Sequence, residues 1–459
     1  MQNFEKENEG FFEQENLVEI TPLFNSDEKL EFSLAPNGYY AILNESRLKF
    51  QVDIPESYVV QNFFCAKLFT HIEIVCNHTS LSYKSTENDH ALSVYFSTVI
   101  NSEEINLKTT GNLDGYWSNN TLGSTSFYKR LLPADDSTSV GEVRRHHPEV
   151  QARELGATNY VTTDSHGAEL KFKRYFFMHK LDFGLAQREH PLPKDVNLRI
   201  IFYRAQPKKS LLSVHLNDQD QDEGGYNERS IPFINPVLQV KYGESKKYDK
   251  KYSSHRISRV KFPFLTKTVR REVLHKGIAN FKFTVANGRL PIALCFALTT
   301  PELFDGSITE PLTNFKAYGL RSFDLVFNSR SLSGYPLKAS GSNLTEFYFS
   351  FLEQVNLYTN KLSLTFYFKC NFWRNTISTG PMNYETFQKH NFMVVDNLKK
   401  RGLSDGQLNL NLEFKEILDK NYLLIIMPMV QQILEFDEHF NAQMRTSSAS
   451  EAERADRTD

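Results

Sequence analysis

The sequence predicts an all-β chain made of two sandwich domains in tandem, and three observations carry that prediction. The first is a line written twice. "IEIVCNHTSLSY" from Ile72 and "FDLVFNSRSLSGY" from Phe323 align so that Val75, Asn77, Ser80, Leu81 and Ser82 meet Val326, Asn328, Ser331, Leu332 and Ser333. Further on, and in the same order, "VYFS" (Val94 to Ser97) meets "FYFS" (Phe347 to Ser350). The second is period-two alternation of apolar and polar residues along most of the chain, the mark of strands with one buried face. The third is size and aromatic content: 459 residues suffice for two cores, and 37 Phe with 21 Tyr suit sheets and contact surfaces.

Taken in order, the first two dozen residues are acidic and polar, punctuated by Phe4, Phe11 and Phe12, and read as an arm that orders against a partner. Alternation then begins with "LEFSLAP" and continues through "SRLKFQVDI" and "THIEIVC". Each copy of the repeat reads as a strand, an Asn-containing turn and a short amphipathic helix. In the second helix Leu344, Phe347, Phe351, Val355 and Tyr358 fall at helical spacing, with Asn343 as N-cap and Glu346 as its capping-box partner. Asp89 is the corresponding cap in "DHALSVYFSTVI". Between Thr109 and Arg174 the pattern gives way to a long polar excursion, which marks a surface loop with its own task or disorder. Strands resume with "VNLRIIFYR" and "PVLQVKY". The lysine-rich "YGESKKYDKKYSS" then separates the halves. The second half repeats the habit with "FKFTV", "LPIALCFAL", "SFDLVF", "KLSLTFYFKCNF" and "GQLNLNLEFKEI", where Leu408, Leu410, Leu412 and Phe414 share one face. The chain closes on a polar tail, "TSSASEAERADRTD".

Composition narrows the function classes. With 53 basic and 55 acidic residues the net charge is −2, which gives no bulk attraction to nucleic acid. Lys246, Lys247, Lys250 and Lys251, interleaved with Tyr248 and Tyr252, form the one dense basic run and read as a solvated linker face. Cys65, Cys76, Cys295 and Cys370 lack framework spacing and are expected as buried thiols in a reducing compartment. No apolar run is long enough to span a membrane, and the acidic start does not resemble a signal peptide, so a soluble intracellular protein is expected.

The sequence offers no catalytic, cofactor-binding or metal-ligating set. "KLDFGLA" (Lys180 to Ala186) copies a kinase metal-binding segment, but the phosphate loop, strand lysine and catalytic loop that the chemistry needs are missing, so it reads as a strand end turning at Gly184. His71, Cys76 and His78 lie close together, yet His71 and Cys76 point to opposite faces of a strand and cannot close one tetrahedral site. His146 and His147, beside Arg144 and Arg145, and the acid pairs Asp135-Asp136, Glu103-Glu104 and Asp222-Glu223 are expected to be solvated. Neither a cofactor nor a metal is therefore expected. The sequons at Asn77 and Asn343 are read as chance. A rival reading is a carbohydrate-active or amide-hydrolysing enzyme, or a lectin, with Tyr116 and Trp117 as a sugar platform.

Several stretches resemble the double jelly-roll major capsid proteins of Polinton/Maverick elements and adintoviruses, in the lineage of adenovirus hexon and the virophage capsids. The similarity is clearest around Phe304-Asp305-Gly306, followed by Pro311, Phe315, Tyr318 and Leu320, and in the closing run that ends at Leu434-Glu435-Phe436-Asp437. In the first half it runs through "EFSLAPNGYYAILNESRLKFQVDI" and "FFMHKLDFGLAQREHPLPKDVNLRIIFYRA". The resemblance implies two tandem eight-stranded jelly rolls with short helices and long surface loops. The expected organisation is an acidic N-terminal arm (1–27), a first jelly roll (28–246) with the long polar loop 109–174, a second jelly roll (247–440) and a flexible polar tail (441–459). It further implies pseudo-hexagonal homotrimers tiling an icosahedral shell of a virus or virus-like element. Partners would be copies of the chain, neighbouring capsomers and penton or minor capsid proteins, in a virion capsid assembled inside the host cell.

Overall fold

The computed structural model describes residues 14–81, 89–101, 157–163, 169–187, 191–213, 229–246, 248–249, 260–308, 310–341, 343–355, 384–389, 391–399, 401–436 and 442–446. In the first half the strands are β1 (Gln14–Ile20), β2 (Phe24–Asn25), β3 (Lys29–Leu34), β4 (Tyr40–Pro55), β5 (Tyr58–Val60), β6 (Phe69–Cys76), β7 (Thr79–Ser80), β8 (Thr158–Thr163), β9 (Glu169–Lys180), β10 (Leu198–Arg204), β11 (Leu211–Ser213) and β12 (Ile234–Glu244). The second half contributes β13 (Val260–Lys267), β14 (Arg270–Leu274), β15 (Asn280–Arg289), β16 (Ala293–Thr299), β17 (Leu320–Phe327), β18 (Arg330–Ser331), β19 (Leu337–Lys338), β20 (Met393–Asp396), β21 (Asp405–Phe414), β22 (Tyr422–Phe436) and β23 (Ala442–Thr446).

The two halves carry one topology. Sheet β1-β12-β4-β9-β8 packs over β2-β3-β10-β6-β7, and sheet β13-β22-β16-β20 packs over β15-β21-β17-β18. Numbering the eight principal strands of each half in chain order, one sheet runs first, eighth, third, sixth and the other second, seventh, fourth, fifth. That order is the antiparallel jelly roll, so the protein is a double jelly roll. Alternation sets which face is buried: Leu408, Leu410, Leu412 and Phe414 are buried along β21 while the residues between them are half-exposed. β22, "YLLIIMPMVQQILEF", buried except at Val430 and Gln431, runs through the centre of its sheet, with β13 and β14 on one side and β16 and β23 on the other.

The repeated line occupies the same place in both jelly rolls, the fourth strand, the turn and the fifth. Asn77 and Asn328 both take left-handed backbone conformations, with φ of 53° and 44°. The Asn77 N–H donates to the Asn197 carbonyl (2.7 Å), and its Oδ1 accepts from the Asn197 N–H (2.9 Å). Asn328 makes the same two bonds with Gln407, at 3.0 Å each. Ser80 donates to Glu73 and Ser331 to Asp324, while the Leu81 and Leu332 amides reach the Ile74 and Leu325 carbonyls. The shared residues are thus those that close this hairpin and tie it to the next strand. A helix follows in each copy, Asp89–Asn101 and Thr345–Val355. In the second, Asn343 Oδ1 accepts from the Thr345 amide, but Glu346 turns away from the expected capping box and accepts from the Lys338 amide instead.

Three segments depart from the sequence expectation. Gln14–Ile20, assigned to the 1–27 arm, is β1 and pairs along its length with β12. Within the 109–174 excursion, Thr158–Thr163 is β8, paired with β9; 109–156 lie outside the described residues. Ala442–Thr446, assigned to the 441–459 tail, is β23 and pairs with Gln432–Phe436. β1 is held by a partner distant in sequence, whereas β8 and β23 each pair with the strand next to them in the chain; in all three the polar composition carries little strand signal.

Candidate functional site

The seam between the jelly rolls is where the sequence places side chains that local pattern alone does not explain. The helix Asp89–Asn101 belongs to the first half, but Ala91, Leu92, Val94, Tyr95 and Phe96 are part of the second core. Phe96 stacks on Phe315 with centroids 5.7 Å apart, and the Tyr95 hydroxyl donates to Asn391 Oδ1 at 2.7 Å. In return, Phe262, Phe264, Leu434, Phe436 and Ala442 of the second half enter the first core. Thr79 Oγ1 donates to the Ala442 carbonyl, fastening β23 to the first half. Aromatic pairs of this kind contribute roughly 0.5–1.5 kcal/mol each beyond their buried area.

Beside these contacts lies a cavity of about 110 Å³, lined by β6, the Asp89–Asn101 helix, the turn after β9 and the end of β13. Its polar wall is His71, His90, Ser93, Asp182 and Lys267. His90 and His179 meet behind it with their Nε2 atoms 3.1 Å apart, one ring donating and the other accepting. Both histidines are buried. Burial, reinforced by the neighbouring His179, pulls the His90 pKa down to about 3, and Asp182 opposes that shift. His71 is lowered as well, by burial, against the pull of Glu73. Lys267 lies 3.8 Å from Asp182 and donates to Ser97 Oγ. Among the described residues Asp182 is the one acid in the cavity wall, so these residues supply no carboxylate pair of the kind glycoside hydrolysis uses.

The "DFG" turn is part of this seam. β9 ends at Lys180 and the chain turns through Gly184–Gln187. A Cβ on Gly184 would stand 2.1 Å from the Leu265 carbonyl oxygen, so glycine is required by the close approach of the second half. On β6, His71 is half-exposed and stacks on Tyr203, whereas Cys76 is fully buried, which puts them on opposite faces. Burial pushes the Cys76 thiol up to about 12 and raises Cys295; Cys65 is buried as well. Cys370, His146, His147, Arg144, Arg145, the three acid pairs, Tyr116, Trp117, Lys247, Lys250, Lys251 and Tyr252 lie outside the described residues. Tyr248 is buried against Tyr40, and Asp249 pairs with Lys194, so this part of the linker is anchored to the first half. Among the described residues no group of three or more His, Cys, Asp or Glu forms a metal site, and no helix is long and apolar enough to cross a membrane.

No family model and no curated protein matches the sequence. Solved structures do match in fold. A chain of the Sputnik virophage, seen by cryo-EM, aligns over 96% of this chain and 90% of its own, with TM-score 0.57 and 13% identity. The mavirus major capsid protein aligns over 95% and 92%, with TM-score 0.51 and 9% identity. A chain in a quasi-atomic model of the PBCV-1 virus capsid aligns over 95% and 97%, with TM-score 0.51 and 11% identity.

Proposed function

We propose that this chain is a major capsid protein. It would assemble as pseudo-hexagonal homotrimers into the icosahedral shell of a virus or of a virus-like transposable element of the Polinton/Maverick kind. The observation that supports this reading is the pairing of two like jelly rolls in one chain, an arrangement aligned over nearly its whole length with the virophage and mavirus chains. Two similar domains per chain and three chains per ring give six similar lobes, which fit a six-sided lattice position. The role is structural rather than catalytic, and the stabilising term is apolar area buried between subunits.

Exposed apolar residues supply surface for such contacts. Leu17, Val161 and Phe176 lie on the β1-β12-β4-β9-β8 sheet, and Ile278 and Ile417 sit together at one end of the second jelly roll. The partners on this reading are further copies of the chain, neighbouring capsomers and penton or minor capsid proteins. No specific nucleic-acid contact is part of it. Assembly takes place inside the host cell, in cytoplasm or nucleus, and the product resides in the virion capsid.

Light scattering across the size-exclusion peak, with electron micrographs of the same fraction, tests the proposal. Three times the 53.1 kDa chain mass with six-sided outlines is expected. A compact monomer at micromolar concentration overturns it.

A further inference from the structure

The His90–His179 contact is a buried polar joint in the seam between the two jelly rolls. His179 follows Tyr175 and Phe177 on the inward face of β9, and His90 opens a helix whose other buried residues reach into the second core. The ring of Phe69 lies against both imidazoles, 6.2 Å from His90 and 6.1 Å from His179. With both rings neutral, one N–H serves one lone pair and neither buried nitrogen at the contact is wasted. A proton added to His90 puts a charge into a buried site beside the Lys267 ammonium, and were both rings protonated their facing nitrogens would have no acceptor between them. The adjoining cavity gives water a route to the joint once it loosens.

We propose that the buried contact of His90 with His179 is a proton-operated latch, closed while His90 is neutral and released when acid protonates it, that controls how firmly the helix Asp89–Asn101 bridges the two jelly rolls. The latch is a property of the single chain and does not depend on the capsid reading. Among the described residues, charged and titratable groups reach it from several elements. From β6 come His71 and, on the same strand, Glu73, which accepts from the Tyr203 and Ser80 hydroxyls. The turn after β9 brings Asp182, and β13 brings Lys267. The short helix Phe64–Lys67 packs on the bridging helix and carries buried Lys67, whose Nζ donates to Gln61 Oε1. The helix Thr345–Val355 also packs on it, directing Glu346 to the Lys338 amide and leaving Glu353 exposed.

The sign follows from burial. His90 in the closed seam holds its proton less tightly than a free imidazole, so the open form binds more protons. Closure is therefore fully favoured above about pH 6.5 and weakens as the pH falls from there toward about 3.

Hydrogen exchange by mass spectrometry on the intact protein at pH 7.5 and pH 5.0, corrected for intrinsic exchange rates, reads the latch directly. The opening constant of the helix Asp89–Asn101 should rise about 30-fold, the factor for one imidazole with an exposed pKa near 6.5. The helix Thr345–Val355 contains no histidine and serves as internal control. His90→Gln, which keeps a hydrogen-bonding group, should lose most of that rise. A pH-independent opening constant, an equal rise in both helices, or a full rise retained in His90→Gln would each overturn the latch. The two-helix comparison in the unaltered protein decides the matter even if the variant does not fold.

Discussion

Asn77 and Asn328 show why two distant positions carry the same residue. A left-handed backbone conformation disfavours most side chains by roughly 1–2 kcal/mol, and Asn is among the few that tolerate it. The same Asn supplies Oδ1 to a backbone amide on the neighbouring chain segment, so Gly could meet the first need but not the second. Asn328→Gly is therefore expected to lose about 0.5–1.5 kcal/mol, the hydrogen-bond share. Asn328→Ala should lose more, about 1–3 kcal/mol, because the backbone preference is added. Urea midpoints of the two variants check this; equal midpoints, or none shifted, would contradict the assignment. The Asn pair was legible in the sequence because it recurs. His90 and His179 escaped notice because each lies alone in its local pattern: His179 breaks an inward row of aromatics by one residue, and nothing in the chain points from it to a helix 89 residues away. The available signal was a polar residue at an inward strand position, which marks a buried partner without naming it.

At the scale of elements, the sequence was most informative where a strand buries one face and least where pairing is remote. The alternation in "GQLNLNLEF" is sufficient to place β21 and its buried row. β1 is different: "QENLVEI" is rich in charge, and its strand character comes from pairing with β12 more than two hundred residues later. β23 pairs locally, with the end of β22 just before it, and was missed because "AQMRT" has no apolar alternation. It covers the exposed edge of the last stretch of β22, and its Ala442 is buried in the first core, so it is a strap across the seam. A chain ending after Thr446 should melt as the full chain does. A chain ending after Phe440 uncovers backbone donors and acceptors on β22 and the apolar residues beneath, and its Tm should fall, by about 1 °C per kcal/mol lost for one cooperative unit of this length. Differential scanning fluorimetry of the two truncations separates a strap from a free tail. Equal melting of both would return Ala442–Thr446 to the tail.

For the whole molecule, the two jelly rolls share a topology without being independent bodies. Residues of the Asp89–Asn101 helix complete the second core, and residues of β13, β22 and β23 complete the first. Gly184 shows how close the halves come, since even a methyl group there would strike the Leu265 carbonyl. The linker region that the sequence marks as a boundary separates the strands of the two jelly rolls, but it does not separate the two cores. Exchanged core residues couple unfolding: opening one half removes buried aromatic contacts such as Phe96 on Phe315 from the other. Calorimetry at fixed protein concentration, which holds any association equilibrium constant, should therefore record one transition for both halves. Two separable jelly rolls would instead unfold in two steps, each with the enthalpy of half a chain at roughly 0.7 kcal/mol per residue. A single peak would mean that the repeat has become one cooperative block. Two resolved peaks would mean that the exchanged helix and strap are ornamental to stability.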